Sequence, residues 1–325
     1  MIITRTPLRI SLFGGGTDFR DFYKREYGAV VGFAINKYVY VMTHKRFEKS
    51  VRAGYSQIEI VEHYSHLKHD LIREGLHRMD VKGPIDVSTI ADVPATGTGL
   101  GSSGSVMVGI LSALSSYSKK YFKKEEIVRI ACDIEINRLK KPIGKQDQYF
   151  AAYGGLSYFK FNPDESVRIE RLNHNRSTVV DLQNNILCFY TGVGRNSHDI
   201  LLNQQNQIKN NLIFLHEIRD LADTARSLLK KGDITKFGEM LNTGWELKKK
   251  LSSNISSNLI DLYYKKAIKA GALGGKINGA GGGGFLTFYC EKRYQGKVRQ
   301  ALRRLREIDI NISDSGSSII FNNEN

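Results

Sequence analysis

The chain has 325 residues, with 48 Lys and Arg against 33 Asp and Glu and a formal net charge of +15. At 41% hydrophobic and 25% charged residues it has the makeup of a globular protein long enough for two cores, which excludes a fibrous or disordered chain. No apolar run reaches the ~20 residues of a membrane span, so no membrane partner is expected.

The opening segment MIITRTPLRISLFGGG lacks the apolar stretch and small-residue cleavage site of a secretory leader. Cys132, Cys188 and Cys290 are odd in number and far apart, with neither disulfide-framework nor metal-ligand spacing. Both features lead us to expect a cytoplasmic protein. The positive charge is spread along the chain, with short clusters at 119–124 and 248–250. There is no basic arm or zinc-finger spacing, so nucleic acid is not the expected partner, and the charge reads as solvated surface that attracts small anions.

Residues 2–13 (IITRTPLRISLF) read as a strand that breaks at Gly14, Gly15, Gly16, Thr17 and Asp18. Asp18 suits either hydrogen bonds to sugar hydroxyls or the cap of a helix expected at 19–27. Residues 29–45 are β-rich and predict two strands, 57–61 another, and 64–79 an amphipathic helix. His63, His66 and His69 would spread by about 60° per step around a helix, poor geometry for one metal, so exposed imidazoles are expected. A strand follows at 85–90.

The stretch 94–105, PATGTGLGSSGS, is the focus of the chain. Gly97, Gly99, Gly101 and Gly104 alternate with Ser102, Ser103 and Ser105, and Val106, Ile110, Leu111 and Leu114 then recur at helical spacing. A glycine loop feeding a helix N-terminus turns backbone N–H groups toward an anion, above all a phosphate. An ordinary serine cap is the structural alternative. No Lys follows the last glycine, so this is not the P-loop of nucleotide hydrolases. Gly99, Gly101 and Gly104 match the G-x-G-x-x-G of dinucleotide folds, but the adjoining strand and the acid about 20 residues on are missing.

A helix is expected at 124–139 carrying Glu135, then the segment GKQDQ at 144–148 with Asp147, then a strand at 156–161. Taken singly, Glu135 reads as a surface acid and Asp147 as a helix cap. The polar stretch 162–185 suggests a boundary, giving domains 1–175 and 176–325. A strand at 186–191, one or two helices over 197–231, and helices at 233–250, 258–270 and 294–307 follow, with a last strand at 317–321. Between them lies KINGAGGGGF at 276–285, whose four consecutive glycines imply close backbone approach to a ligand or to the first loop.

Three stretches together, PLRISLFGGGTD at 7–18, the GLGSS core at 99–103 and GAGGGGF at 279–285, resemble the GHMP family of small-molecule kinases, and GKQDQ resembles the family's G-x-x-D-Q signature. The resemblance implies an α/β (α+β) two-domain fold, its N-terminal domain similar to a ribosomal-protein fold and its C-terminal domain ferredoxin-like. It implies ATP with Mg²⁺ as cofactors and small-molecule substrates, and leaves a homodimer open. ATP would lie on Gly97, Gly99, Leu100, Gly101, Ser102, Ser103 and Gly104, with Ser103 and Glu135 on the metal. Asp147 would be the general base, with Arg9 stabilising charge beside it. Gly15, Gly16, Thr17, Asp18, Gly281, Gly282 and Arg195 would hold the substrate. GGGTD and GKQDQ are most similar to family members that phosphorylate the anomeric hydroxyl of D-glycero-D-manno-heptose 7-phosphate, with another sugar such as fucose as the alternative. Further from the family, a nucleotide-dependent oxidoreductase and a basic RNA-binding module are the competing classes.

Overall fold

The computed structural model describes residues 1–94, 97–173, 175–194 and 197–323. Its strands are β1 (Ile2–Phe13), β2 (Gly28–Lys45), β3 (Val51–Gly54), β4 (Ile58–Val61), β5 (Ile85–Ala91), β6 (Leu156–Phe161), β7 (Val167–Arg171), β8 (Ile186–Tyr190), β9 (Gly274–Ile277), β10 (Phe285–Tyr289), β11 (Arg306–Ile308) and β12 (Ser318–Asn322). The helices are α1 (Arg20–Tyr23), α2 (Asp70–Met79), α3 (Ser102–Tyr117), α4 (Lys124–Cys132), α5 (Gln146–Tyr153), α6 (Arg176–Asn184), α7 (Ser197–Asn206), α8 (Leu212–Lys231), α9 (Ile234–Lys250), α10 (Asn258–Lys269) and α11 (Lys292–Ala301).

The strands form two sheets. The larger runs β12-β1-β2-β5-β3-β4, with β6 and β7 extending from β2. The smaller runs β11-β8-β10-β9, all antiparallel. Numbered from β8, that order is 4-1-3-2 with helices after the first and third strands, the ferredoxin-like arrangement expected from the resemblance. The last strand returns to the first sheet, where β12 pairs with β1.

α3 lies at the centre of the larger unit. Its Met107, Val108, Ile110, Leu111 and Leu114 are all fully buried, as befits a helix that is apolar on most sides. Gly109 lets it settle onto the sheet, since a Cβ there would come within 2.9 Å of the Thr6 hydroxyl. α8 packs against the first sheet, where Asp223 accepts hydrogen bonds from Tyr27 at 2.8 Å and from Tyr158 at 2.5 Å.

Several expectations are corrected. Residues 28–45 form one strand, because β2 pairs with β1 from Val31 to Thr43, across a bulge, while changing its other partner from β6 to β5. The helix expected at 64–79 is a 3₁₀ turn (Tyr64–His66) followed by α2. His69 Nδ1 accepts from the Ile72 amide at 3.2 Å, so this imidazole caps α2. The helix expected at 19–27 shrinks to α1, and that expected at 294–307 begins earlier as α11 and ends before β11. The polar stretch 162–185 holds β7 and α6. Residues 197–231 make two helices, α7 and α8.

Candidate active site

The glycine loop is built as its composition demands. Gly97, Gly99 and Gly101 take φ values of 73°, 77° and 77°, a region that costs a residue with a side chain. Gly101 occupies the N-cap position of α3, and no side chain caps the helix. The serine-cap alternative is thereby overturned. The first-turn amides of a 16-residue helix are left for a ligand, and the helix dipole favours an anion there. Leu100 is buried and anchors the loop, its carbonyl accepting from the Arg9 amide at 2.9 Å.

The second glycine loop meets the first. The Phe285 amide donates to the Thr98 carbonyl at 3.2 Å, and a Cβ on Gly284 would stand 2.3 Å from that same oxygen. Gly284 has φ +89°, so both space and conformation require glycine.

Arg9, on β1, carries the centre of the site. Its Nε donates to Asp147 Oδ1 at 2.8 Å and its Nη1 to the Gly99 carbonyl at 2.6 Å, while Nη2 lies 2.7 Å from Asp147 Oδ1. One guanidinium thus ties the acid at the start of α5 to the glycine loop. Among the described residues Asp147 Oδ2 has no hydrogen-bond partner. Gly104 makes room for this acid, because a Cβ on α3 at that point would lie 2.8 Å from the Asp147 Cβ.

Beyond α4 the chain continues as a π-helical turn (Asp133–Arg138), a feature often found where helices carry functional groups. It turns Glu135 inward: the residue is 0% exposed, contrary to the surface-acid reading. Glu135 accepts from the Ser103 hydroxyl and, at 2.6 Å, from Gln148 Nε2. The Lys141 ammonium sits 3.7 Å from Glu135 and 3.4 Å from Ser103 Oγ. Burial raises the Glu135 carboxyl above its ordinary range, opposed by Lys141 and the two hydrogen bonds. A buried carboxylate and an adjacent hydroxyl are oxygen donors of the kind a hard divalent ion takes, with phosphates and water as its remaining ligands.

Asp18 is buried and accepts from the amides of Gly16 (3.0 Å) and Gln146 (3.1 Å) and from Gln146 Nε2 (3.0 Å). Burial raises its carboxyl, and the backbone hydrogen bonds oppose the rise. It does not cap α1, whose N-cap is Phe19. Gly144 passes so close that a Cβ would stand 2.0 Å from Asp18 Oδ2, which explains the glycine of GKQDQ.

Gly15, Gly16, Asp18, Arg9 and Asp147 share a small cavity of about 70 Å³. Among the further lining residues that the sequence reasoning missed are Ser11, Gln146, Lys248 and Lys276. Ser11 and Gln146 sit inside motifs read only for their glycines and acid, and no periodicity marks the two lysines. Thr17 lies just outside: its hydroxyl bridges the Gly14 carbonyl (2.8 Å) and the Ala29 amide (3.0 Å). Gly281 and Gly282 pack on Ile255, whose carbonyl accepts from the Gly282 amide at 2.7 Å. Arg195 lies outside the described residues. Lys145, adjoining the acid, is held by Glu165 and by the Tyr23 ring, and lines a separate cavity of about 710 Å³.

Residues 61–155 match the pattern of the GHMP kinases N terminal domain and residues 225–308 that of the GHMP kinases C terminal. The chain belongs to the GHMP kinases. It is similar to the D-glycero-alpha-D-manno-heptose 7-phosphate kinase of Campylobacter jejuni, 29% identical over 93% of each chain. It is similar also to the galactokinase of Pyrococcus furiosus, 25% identical over 93% of each. Among solved structures, a D-glycero-D-manno-heptose 1-phosphate kinase from Bacteroides thetaiotaomicron superimposes with a TM-score of 0.83 at 25% identity, covering 100% of both chains. Family and relatives make the protein an ATP-dependent sugar kinase, and set aside the oxidoreductase suggested by the G-x-G-x-x-G match.

Proposed function

We propose that the protein transfers the γ-phosphoryl group of ATP to the anomeric hydroxyl of D-glycero-D-manno-heptose 7-phosphate, giving the 1,7-bisphosphate used to make nucleotide-activated heptose. The reaction site is the cleft between units 1–175 and 176–325, with β12 returned to the first sheet. The observation that carries the reading is the Arg9 guanidinium, which grips Asp147 and the Gly99 carbonyl at once. The acid and the phosphate loop are thereby fixed relative to each other before either substrate binds, and phosphoryl transfer depends above all on such positioning.

The α3 first-turn amides and the loop backbone hold the ATP phosphates. Ser103 and Glu135 hold Mg²⁺, which when bound neutralises charge on the phosphates. Asp18 and the Gly15–Gly16 backbone take sugar hydroxyls. Asp147 Oδ2, left open by Arg9, accepts the proton of the attacking hydroxyl. The hydroxyl oxygen bonds to the γ-phosphorus as the bond from that phosphorus to the bridging oxygen of ADP breaks, and ADP leaves. Arg9 offsets the charge that develops beside the acid.

The names of the relatives support a heptose phosphate and differ in the position of its phosphate, 7 in one and 1 in the other. The test is ATP consumption against heptose 7-phosphate, heptose 1-phosphate, unphosphorylated heptose, fucose and galactose, with the product assigned by phosphorus NMR. Turnover confined to heptose 7-phosphate with a new anomeric phosphate is the expected result. Preferred turnover of heptose 1-phosphate or of a free sugar would remove this substrate and keep the kinase.

A further inference from the structure

The segment that carries the proposed base is tethered by three consecutive side chains. Lys145 reaches Glu165 in the loop between β6 and β7, Gln146 reaches Asp18, and Asp147 reaches Arg9. α5 has only 8 residues, Lys145 stands at its N-cap, and no side-chain hydrogen bond caps the helix. A short helix without such a cap is held by its outside contacts, so these three tethers place its start. The mechanism above uses Asp18, Asp147 and Arg9 and leaves the Lys145 tether without a role.

Glu165 gathers donors from both sides of the site. Its Oε2 accepts from Lys145 Nζ and, at 2.7 Å, from the Tyr23 hydroxyl, while its Oε1 lies 3.2 Å from Arg20 Nε and 3.1 Å from Lys24 Nζ. Lys145 Nζ also stands 4.6 Å from the centre of the Tyr23 ring. Arg20 and Tyr23 belong to α1 and Lys24 follows it, just beyond Asp18 in the chain. The contacts close a ring: Asp18 leads into α1, α1 binds Glu165, Glu165 binds Lys145, and Gln146 returns to Asp18 by its amide and its side chain. Burial alone would raise the Glu165 carboxyl, but the bonds from Lys145 and Tyr23 outweigh it and bring it down to about 2.

The backbone under this carboxylate is unfavourable. The Glu165 amide donates to the Asn162 carbonyl at 3.0 Å and the Asn162 amide to the Ser166 carbonyl at 2.9 Å, closing a tight hairpin loop in which Glu165 takes φ +70°. Glycine suits that position, and a longer residue there is strained. Strain of this kind gathers at functional sites. The Glu165 side chain is 37% exposed, and ion pairs so open to water add little to stability, so stability does not account for a strained glutamate.

We propose that Glu165 is a positioning residue for the phosphoryl transfer, fixing through Lys145 the segment that presents Asp147 to the attacking hydroxyl and Gln146 to Asp18. This rests on the kinase mechanism proposed above. Glu165 lines the larger cavity and not the small one, so it acts through Lys145 and not on the substrate. Its influence falls on the sugar side of the site, because the glycine loop on the ATP side is held by Arg9 through the Gly99 and Leu100 carbonyls. Small displacements of reacting groups lower rates steeply, so a tether that adds little to stability has a large effect on turnover.

The experiment is steady-state kinetics on Glu165→Gly, Lys145→Met and the double variant, with melting curves and amide hydrogen exchange of residues 144–153 on the same samples. Glu165→Gly deletes the carboxylate and relieves the backbone, so its melting temperature is expected within about 3 °C of wild type. Its kcat is expected to fall about 20-fold and its KM for the sugar to rise about fivefold, with the KM for ATP changed by less than about twofold. Lys145→Met should reproduce the loss, and the double variant should be no worse than either single one, because both remove the same tether. Exchange at 144–153 should quicken while that of α3 stays unchanged. Wild-type kinetics in a folded Glu165→Gly, or losses that multiply in the double variant, overturn the positioning role. So does a loss that falls on the KM for ATP instead. A wild type that turns over no sugar removes the kinase mechanism, and exchange at 144–153 then judges the tether alone: unchanged exchange in both single variants overturns it.

Discussion

The two walls of the small cavity treat charge in opposite ways. On the first sheet's side, Arg9 faces Asp147 and Asp18 is wrapped in amide donors. On the second sheet's side, Lys276 has a backbone carbonyl and, among the described residues, no acid. The charges of the first wall are engaged before substrate arrives, which suits groups that must be in place when charge develops in the transition state. The second wall is incomplete, which suits recognition, because a ligand that completes it gains more than one that does not.

The largest effect is expected from breaking the first wall at its centre. Asp147→Asn keeps the shape and removes both the proposed proton acceptor and the charge opposite Arg9. Turnover is expected to fall by at least about 100-fold while ATP still binds. Near-normal turnover, measured under saturating substrates, would take Asp147 out of the base role and leave it as a positioning residue.

The metal pair comes next. Ser103→Ala removes one of the two proposed metal ligands and leaves Glu135 with Gln148 and Lys141. The Mg²⁺ concentration for half-maximal activity is expected to rise by about tenfold, with the KM of the sugar little changed. A sugar KM that rises instead would move Ser103 from the metal to the substrate.

The comparison also shows what was legible in the sequence. Residues whose conformation or space demands one amino acid left a mark. Gly99, Gly101 and Gly284 need positive φ or close backbone approach, and Gly144 must clear Asp18. The contact between the two glycine loops, one of two alternatives at the outset, is realised through Thr98 and Phe285. What left no mark was the inward turn of a polar side chain. Glu135 points inward because the helix widens to a π turn, and local residue pattern carries no signal for that one-residue change of phase. Lys276 lies in a four-residue strand whose every residue is buried, so alternation does not distinguish it from a surface lysine. At Asn36 and Lys37 the pairing with β1 shifts register between Pro7 and Leu8 and then resumes, so one bulged strand stands where two were expected within 29–45.

The smallest effect separates the walls without any ligand. In the unfolded chain Lys276 titrates near its ordinary 10.5, and in the folded protein near 7, so between those values the unfolded state holds more protons and folding gains stability as pH rises. Below about pH 7 the folded protein carries the full burden of a protonated, buried lysine. Lys276→Met removes that burden together with the bond to Leu12, so the variant should melt higher than wild type near pH 6, by about 3 °C, the advantage fading as pH climbs toward 10. The paired Arg9 on the opposite wall predicts the reverse: Arg9→Met strands Asp147 and should lower the melting temperature across the same range. Melting curves for both variants from pH 6 to 10 decide the matter. If Lys276→Met is destabilising at every pH, the ammonium has a partner in the folded protein, and the contrast between the two walls disappears.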